Sequence, residues 1–204
     1  MSKLKDITGV ILAGGKSRRM GQDKRYLHWQ GLNLLDSVCG VMNRVFEDIV
    51  VVTAIPDYEL RSLSVRFITD EIPGKGSIGG LFSGLRHSLN SYCFVVGCDM
   101  PYLNPEVIAE ICRNPPADIV VVKLLQGFQP LHARYSKQCI PFLEEMIQSD
   151  NLKIQHLITD SRISSRILDE THISGIDPHL RSFINVNTPA DWEFARKAQR
   201  NSPG

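Results

Sequence analysis

Apolar runs of strand length recur along the chain at 7–12, 49–53, 65–69, 93–97 and 119–124. Several are almost continuously apolar rather than alternating, which is how strands covered on both faces read. Between them the apolar period lengthens to that of a helix. The segment 34–46 gathers Leu34, Leu35, Val38, Val41, Met42 and Val45 on one face. The segments 81–89 and 107–112 follow the same pattern, and Asn104-Pro105 makes a good start for the latter. Strand and helix alternating at this spacing predict an α/β fold: a three-layer, Rossmann-like sandwich with a mostly parallel sheet.

The second half is less regular and predicts a mixed end to that sheet. Short strands are expected at 131–135, 166–168 and 183–186, and helices at 141–148 and 152–158. A last helix at 189–200, rich in Ala, Glu and Arg, would be capped by Thr188. No internal repeat, low-complexity tract or linker interrupts the pattern. Residues 1–200 therefore read as one domain, and 201–204 as a frayed tail. A chain of 204 residues buries roughly 70% of its unfolded surface and needs no disulfide staples.

Charge and cysteine content narrow the function classes. Lys plus Arg is 23 and Asp plus Glu is 22, a balance that argues against a general nucleic-acid or membrane-surface binder. The five cysteines are odd in number and form no CxxC pair, and three lie in apolar runs. They read as free thiols in a reducing cytoplasm. The N-terminus lacks the apolar stretch of a signal peptide, and no window reads as a transmembrane helix. The six histidines, His28, His87, His132, His156, His172 and His179, show no ligand spacing. Trp29 and Trp192 read as packing.

In an open α/β sheet, ligands bind beyond the carboxyl ends of the strands. That rule singles out Leu12, Ala13, Gly14 and Gly15, then Asp70, and then Cys98, Asp99 and Met100. The first strand runs into VILAGGKSRRMGQDK, where Lys16, Arg18, Arg19 and Lys24 accompany a single acid, Asp23. Glycines without side chains let a ligand approach the backbone, and their N–H groups suit anionic oxygens. With Lys and Arg beside them, the segment suits a polyphosphate. It is not a Walker A loop, which would need glycine where Val10 stands. A GxGxxG match does occur at 74–79, GKGSIG, with Asp99 about 20 residues further on, as a dinucleotide fingerprint would place its acid. However, Asp70, Glu71, Ile72 and Pro73 separate it from the preceding strand, whereas the fingerprint begins as its strand ends. An NAD-dependent oxidoreductase is the reading that motif would support.

The run LAGG-K-S-R-R-M-G-Q-D-K resembles the signature of nucleotidyltransferases that join an NTP to a phosphate and release pyrophosphate. Its GG form most resembles the molybdenum cofactor guanylyltransferases. Further similarities follow in order: Asp70 at the third strand end, GSIGGLFSGL, GCDMPYL at 97–103, QPLHARY at 129–135 and INVNTPADW at 184–192. The resemblance implies a nucleotide-diphospho-sugar transferase-like fold and transfer of GMP from GTP to the terminal phosphate of molybdenum-bound molybdopterin. A relative using CTP or another NTP on a pterin, sugar or lipid phosphate is the alternative. Cofactor-delivering or molybdoenzyme-maturation proteins are the protein partners it implies.

Site roles follow from the same resemblance. Asp99 would hold Mg²⁺, Lys24 would meet the phosphates, and Arg19 would stabilise the departing pyrophosphate. Leu12, Ala13, Gly14 and Gly15 would contact the nucleotide, the first three reading base and ribose through the backbone. Asp70 would be a further nucleotide contact. Gly79, Gly80, Asn185 and Asn187 would serve the acceptor side, with Lys75 an additional contact there; Asn187 reads equally as a cap for the turn into the last helix. Lys16, Arg18 and Arg25 read as solvated surface or acceptor contacts. Thr53 departs from the pattern, since some members place Asn at that strand end.

Overall fold

The computed structural model describes residues 2–14, 23–54 and 65–200. In chain order these form β1 (Leu4–Leu12), the short strands β2 (His28–Trp29) and β3 (Leu32–Asn33), α1 (Leu34–Val45), β4 (Phe46–Thr53) and β5 (Arg66–Thr69). Then come α2 (Ser77–His87), β6 (Tyr92–Gly97), α3 (Pro105–Arg113), β7 (Ile119–Leu124) and β8 (Gly127–Ser136). The chain ends with α4 (Ile140–Gln148), α5 (Ile154–Ile158), β9 (Ser165–Leu168), α6 (Glu170–Ser174) and α7 (Pro189–Arg200). Seven strands make one sheet in the order β5-β4-β1-β6-β8-β7-β9. All of its pairings are parallel except those of β8, which runs antiparallel to both β6 and β7.

The near-continuous apolar strands have the reason the sequence suggested, because both faces are covered. Ile11, Val51, Phe94 and Val96 pack on one side against Leu35, Val38 and Met42 of α1 and Val107, Ile108 and Ile111 of α3. Their neighbours Val10, Val50, Val95 and Val121 pack on the other side against Ile78, Leu81 and Leu85 of α2 and Leu143 and Ile147 of α4. This is the period of two along a strand, with both phases buried. Helix α2 lies so close that a Cβ on Gly84 would stand 2.5 Å from Val10 Cγ1. Its glycines also explain why the sequence pattern missed its first turn: the expected 81–89 begins at Ser77 and ends at His87. Glycine carries little apolar signal and weak helix propensity, so packing rather than propensity holds that turn.

Two other expectations change. The segment 183–186 is not a strand; Arg181–Phe183 is a single 3-10 turn, and the following residues leave the sheet. A short apolar run cannot reveal whether a ladder partner awaits it. The strand expected at 131–135 is longer, Gly127–Ser136, because Phe128 and Gly127 pair with Lys123 and Leu124 across the hairpin, beyond an irregularity in the register. No helix among the described residues is long and apolar enough to cross a membrane.

A third, smaller cluster decides where the chain ends meet. Leu27, Trp29 and Leu34 pack with Val186 and Ala195, and Tyr102 and Trp192 lie against them. The Trp29 ring stands edge-on to Tyr102 at 5.0 Å between centroids and 5.6 Å from Trp192. Such aromatic packing contributes beyond its area. It brings three distant segments, 24–34, 98–103 and 184–195, to the same end of the sheet.

Candidate active site

The carboxyl ends of β5, β4, β1 and β6 form one ledge. Leu12 stands beside Val52 on one side and Gly97 on the other. Three backbone bonds continue the sheet past its last ladder pairs. Ala13 N–H donates to the Val52 carbonyl at 2.8 Å, Cys98 N–H to the Leu12 carbonyl at 3.0 Å, and Asp70 N–H to the Thr53 carbonyl at 2.9 Å. Residues 12–14, 70 and 98–99 are therefore neighbours across strand tips, as the strand-end rule required.

Asp99 folds back over the end of β6. A Cβ on Gly97 would lie 2.5 Å from Asp99 Oδ1, so glycine there is what lets the carboxylate settle. Lys24 comes to it from the first-to-second strand connection, on the short 3-10 turn Lys24–Tyr26 capped by Asp23. The Asp23 Oδ1 accepts the Arg25 N–H at 3.0 Å, and the Arg25 guanidinium closes an ion pair with the same carboxylate at 2.6 Å. Burial alone would raise the Asp23 carboxyl, but the bonds from Arg25 outweigh it and hold it below the ordinary value. Lys24 Nζ then donates to Asp99 Oδ2 at 3.1 Å and to Asn187 Oδ1 at 2.8 Å. Both side chains of the ion pair are largely shielded, at 15% and 21% exposed.

Asn187 arrives because the segment before α7 is tied to the loop after β6: Val186 N–H donates to the Asp99 carbonyl at 2.8 Å. Val186 is buried and the flanking Asn185 and Asn187 are exposed, so the two asparagines face the solvent side of the anchor. Of this pair, Asn187 reaches Lys24.

The remaining expected residues are placed less simply. Asp70 Oδ1 accepts from Ile72 N–H at 3.0 Å and lies 3.0 Å from the Ser83 hydroxyl, so it also fixes the turn into α2. Gly79 and Gly80 are buried. A Cβ on Gly79 would meet the Ile72 carbonyl at 2.8 Å and one on Gly80 the Leu12 side chain at 3.3 Å. Their missing side chains let α2 approach the ledge. Lys75 is held by Asp150 at 2.8 Å. Thr53 is fully buried and its hydroxyl turns to the Ile68 carbonyl at 3.4 Å, into the sheet rather than the ledge. Gly15, Lys16, Arg18 and Arg19 lie outside the described residues.

Thiol chemistry finds no support at the ledge. Burial pushes Cys98 up to about 12 and Cys93 up to about 11, and a thiol so placed stays protonated and inert. Among the described residues no three His, Cys, Asp or Glu side chains cluster as a metal cage. A lone carboxylate with an amide oxygen nearby suits instead a hard divalent ion that takes most of its ligands from phosphate and water. The donor set thus fits an ion arriving with a triphosphate.

Residues 9–164 match the MobA-like NTP transferase domain family. The chain belongs to that family. It is 35% identical over 196 residues to the "Probable molybdenum cofactor guanylyltransferase" of Pelotomaculum thermopropionicum, covering 96% of this chain and 94% of that protein. It is 33% identical over 196 residues to the molybdenum cofactor guanylyltransferase of Desulfosudis oleivorans, covering 94% and 95% respectively. Among solved structures, molybdopterin-guanine dinucleotide biosynthesis protein A from Archaeoglobus fulgidus superposes with a TM-score of 0.81 at 27% identity, over 96% of this chain and all of that one.

As a MobA-like transferase the protein is a nucleotidyltransferase, and the oxidoreductase reading of 74–79 falls away. That segment is a turn carrying Gly74 at φ +88° and Gly76 at φ +67° into α2, with Gly79 packed under the Ile72 carbonyl. Two residues escaped the sequence reading. Gly97 was read only as part of a motif, and its steric role needs the coordinates. Asp191 likewise enters the sequence reading only within INVNTPADW, although Thr188 followed three positions later by an acid is the pattern of a capping box.

Proposed function

We propose that this protein transfers GMP from GTP to the terminal phosphate of molybdenum-bound molybdopterin. The new bond joins an acceptor phosphate oxygen to the α-phosphorus of GTP, the bond from α-phosphorus to the bridging oxygen breaks, and pyrophosphate leaves. The observation that carries the reading is the convergence of Lys24, Asp99 and Asn187 on the strand-tip ledge of a MobA-like chain. The names of the related proteins support guanine and the pterin acceptor over CTP and other phosphates.

The acceptor phosphate is already an anion near neutrality, so the site needs charge neutralisation and alignment more than a base. Lys24 supplies a shielded cation 3.1 Å from the Asp99 carboxylate. Asp99, with the Asn187 amide oxygen beside it, is where Mg²⁺ would be held. Bound there, a divalent ion would offset charge on the phosphate oxygens as a Lewis acid. Arg19 would stabilise the departing pyrophosphate. Backbone groups at Leu12, Ala13, Gly14 and Gly15 would read the nucleotide. Because the Leu12 carbonyl and Ala13 N–H already serve the sheet, the Ala13 carbonyl and exposed Gly14 are the groups best placed for it. Asp70 would add a nucleotide contact through the carboxylate that also fixes the α2 turn. Asn185 would act on the acceptor side, and Gly79 and Gly80 would contribute there indirectly, by seating the start of α2 near the ledge. The reaction would run in the cytoplasm, alongside proteins that deliver the pterin or mature molybdoenzymes.

The test supplies the purified protein with molybdopterin, Mg²⁺ and each of GTP, CTP, UTP and ATP, and measures pyrophosphate. GTP should be preferred by at least about tenfold, the discrimination expected when a wrong base leaves buried polar groups unpaired. Equal turnover with CTP would refute the guanine assignment, and no release with any nucleotide would refute the transferase reading.

A further inference from the structure

Helix α7 starts with a cap that reaches further than its own first turn. Thr188 Oγ1 accepts the Asp191 N–H at 3.2 Å, and Asp191 Oδ2 accepts the Thr188 N–H at 2.8 Å. Those two bonds form the reciprocal cap common at helix starts. Asp191 Oδ2 also accepts the N–H of Asn187 at 2.9 Å, one residue before the cap. Asn187 is the residue whose side chain accepts from Lys24. Its predecessor Val186 is fixed to the Asp99 carbonyl. The backbone bearing the asparagine is thus held on both sides, by Asp99 in front and Asp191 behind.

We propose that Asp191 is a positioning residue of the active site, acting through Asn187 on the geometry of the Lys24–Asp99 pair. An uncommitted asparagine on an exposed turn would lose its side chain to water, and Lys24 would keep one fewer fixed partner. The backbone N–H of Asn187 is the foremost influence holding the Asp191 carboxyl below its ordinary value, against desolvation, with help from Thr188 and from the charge of Lys24. The inference depends on the guanylyltransferase reading only for what its rate measurement means.

The experiment compares Asp191→Ala, Asp191→Glu and Tyr102→Phe with wild type. Tyr102 donates to the Ala195 carbonyl, so its loss loosens the same helix without touching the turn. The first readout needs no substrate: acylation of Lys24 by a small amine reagent, followed by mass spectrometry, with the exposed Lys5 and Lys197 as internal references. Asp191→Ala should raise relative Lys24 labelling by about fivefold and lower kcat for pyrophosphate release by about tenfold, with KM for GTP changed by less than about threefold. Asp191→Glu, which can still reach the cap, should restore both. Tyr102→Phe should leave both within about twofold even at an equal loss of Tm. Unchanged Lys24 labelling in Asp191→Ala, or the same changes in Tyr102→Phe, would overturn the proposal. If wild type releases no pyrophosphate from GTP, the functional reading fails, and the labelling still decides on Asp191.

Discussion

The backbone carbonyl of Asp99 accepts the N–H of Val186 at 2.8 Å, joining the loop after the central strand β6 to the start of the C-terminal helix. That bond helps bring Asn187 beside the Lys24–Asp99 pair. The candidate site draws on distant parts of the chain, with Lys24 Nζ between the Asp99 carboxylate and the Asn187 amide oxygen.

The Asp99 side chain is expected to matter to the reaction more than to the fold. Asp99→Asn keeps the backbone bond to Val186 and removes the charge. It should lower kcat by about 10²–10³, in the range seen when one transition-state electrostatic contact is removed. Steady-state pyrophosphate release checks the rate and thermal unfolding checks the fold; wild-type turnover would sink the assignment.

Gly97 should prove sensitive through the residue it supports, though less so than Asp99 itself. Adding a Cβ within 2.5 Å of Asp99 Oδ1 forces the carboxylate to move. Gly97→Ala is expected to cut kcat by about 10-fold or more, since small misplacements are costly in phosphoryl transfer, with little loss of stability because the atom displaced is the tip of a partly exposed side chain. Kinetics and denaturant titration measure the two effects separately.

Stability should fall in mild acid through His132. This side chain is fully buried between Phe94 and Phe183; Nδ1 donates to the Ser182 carbonyl at 3.2 Å, and Nε2 finds no hydrogen-bond partner among the described residues. Burial, partly opposed by Ser182 and Asp177, lowers its pKa to about 4 from 6.5. The folded state therefore binds the proton less readily than the unfolded state. Its contribution is fully present above pH 6.5 and is lost as pH falls towards 4, by up to about 3 kcal/mol. Urea titrations at pH 7, 5.5 and 4.5 should show this slope, and His132→Phe should flatten it.

Arg134 should be needed for folding and dispensable for chemistry. Its guanidinium donates to the carbonyls of Cys112, Asn114 and Pro115, closing the C-terminal end of α3. Arg134→Met would leave those acceptors bare in a buried place and is expected to cost about 2–3 kcal/mol. Unfolding curves read the loss, and kcat at a permissive temperature should stay near wild type.

Much of the architecture was legible along the chain because burial on both faces writes itself into composition. The strands 7–12, 49–53, 93–97 and 119–124 have no polar phase to hide, and helices α1 and α3 carry clear apolar stripes. Asp99 could be singled out because a lone acid after such a strand must sit at a strand tip. The irregular half was harder: 183–186 reads as a strand, but Phe183 closes a 3-10 turn and the residues between it and α7 form no strand. Gly79 and Gly80 looked like room for a ligand, whereas packing shows them also to be room for a helix.

What the amino-acid order determined by itself was local and periodic: alternating strands and helices, the glycine-rich and basic end of β1, the acid after β6 and the Thr188 cap. What only the tertiary structure decided was company. That Lys24 bonds both Asp99 and Asn187 depends on contacts between segments far apart in the chain, whereas the Gly97–Asp99 approach and the Asn187–Asp191 bond are local contacts whose bearing on that meeting only the coordinates show. Periodicity reports which face of an element is buried, but the meeting of distant polar groups is set by strand order and by the small aromatic core around Trp29.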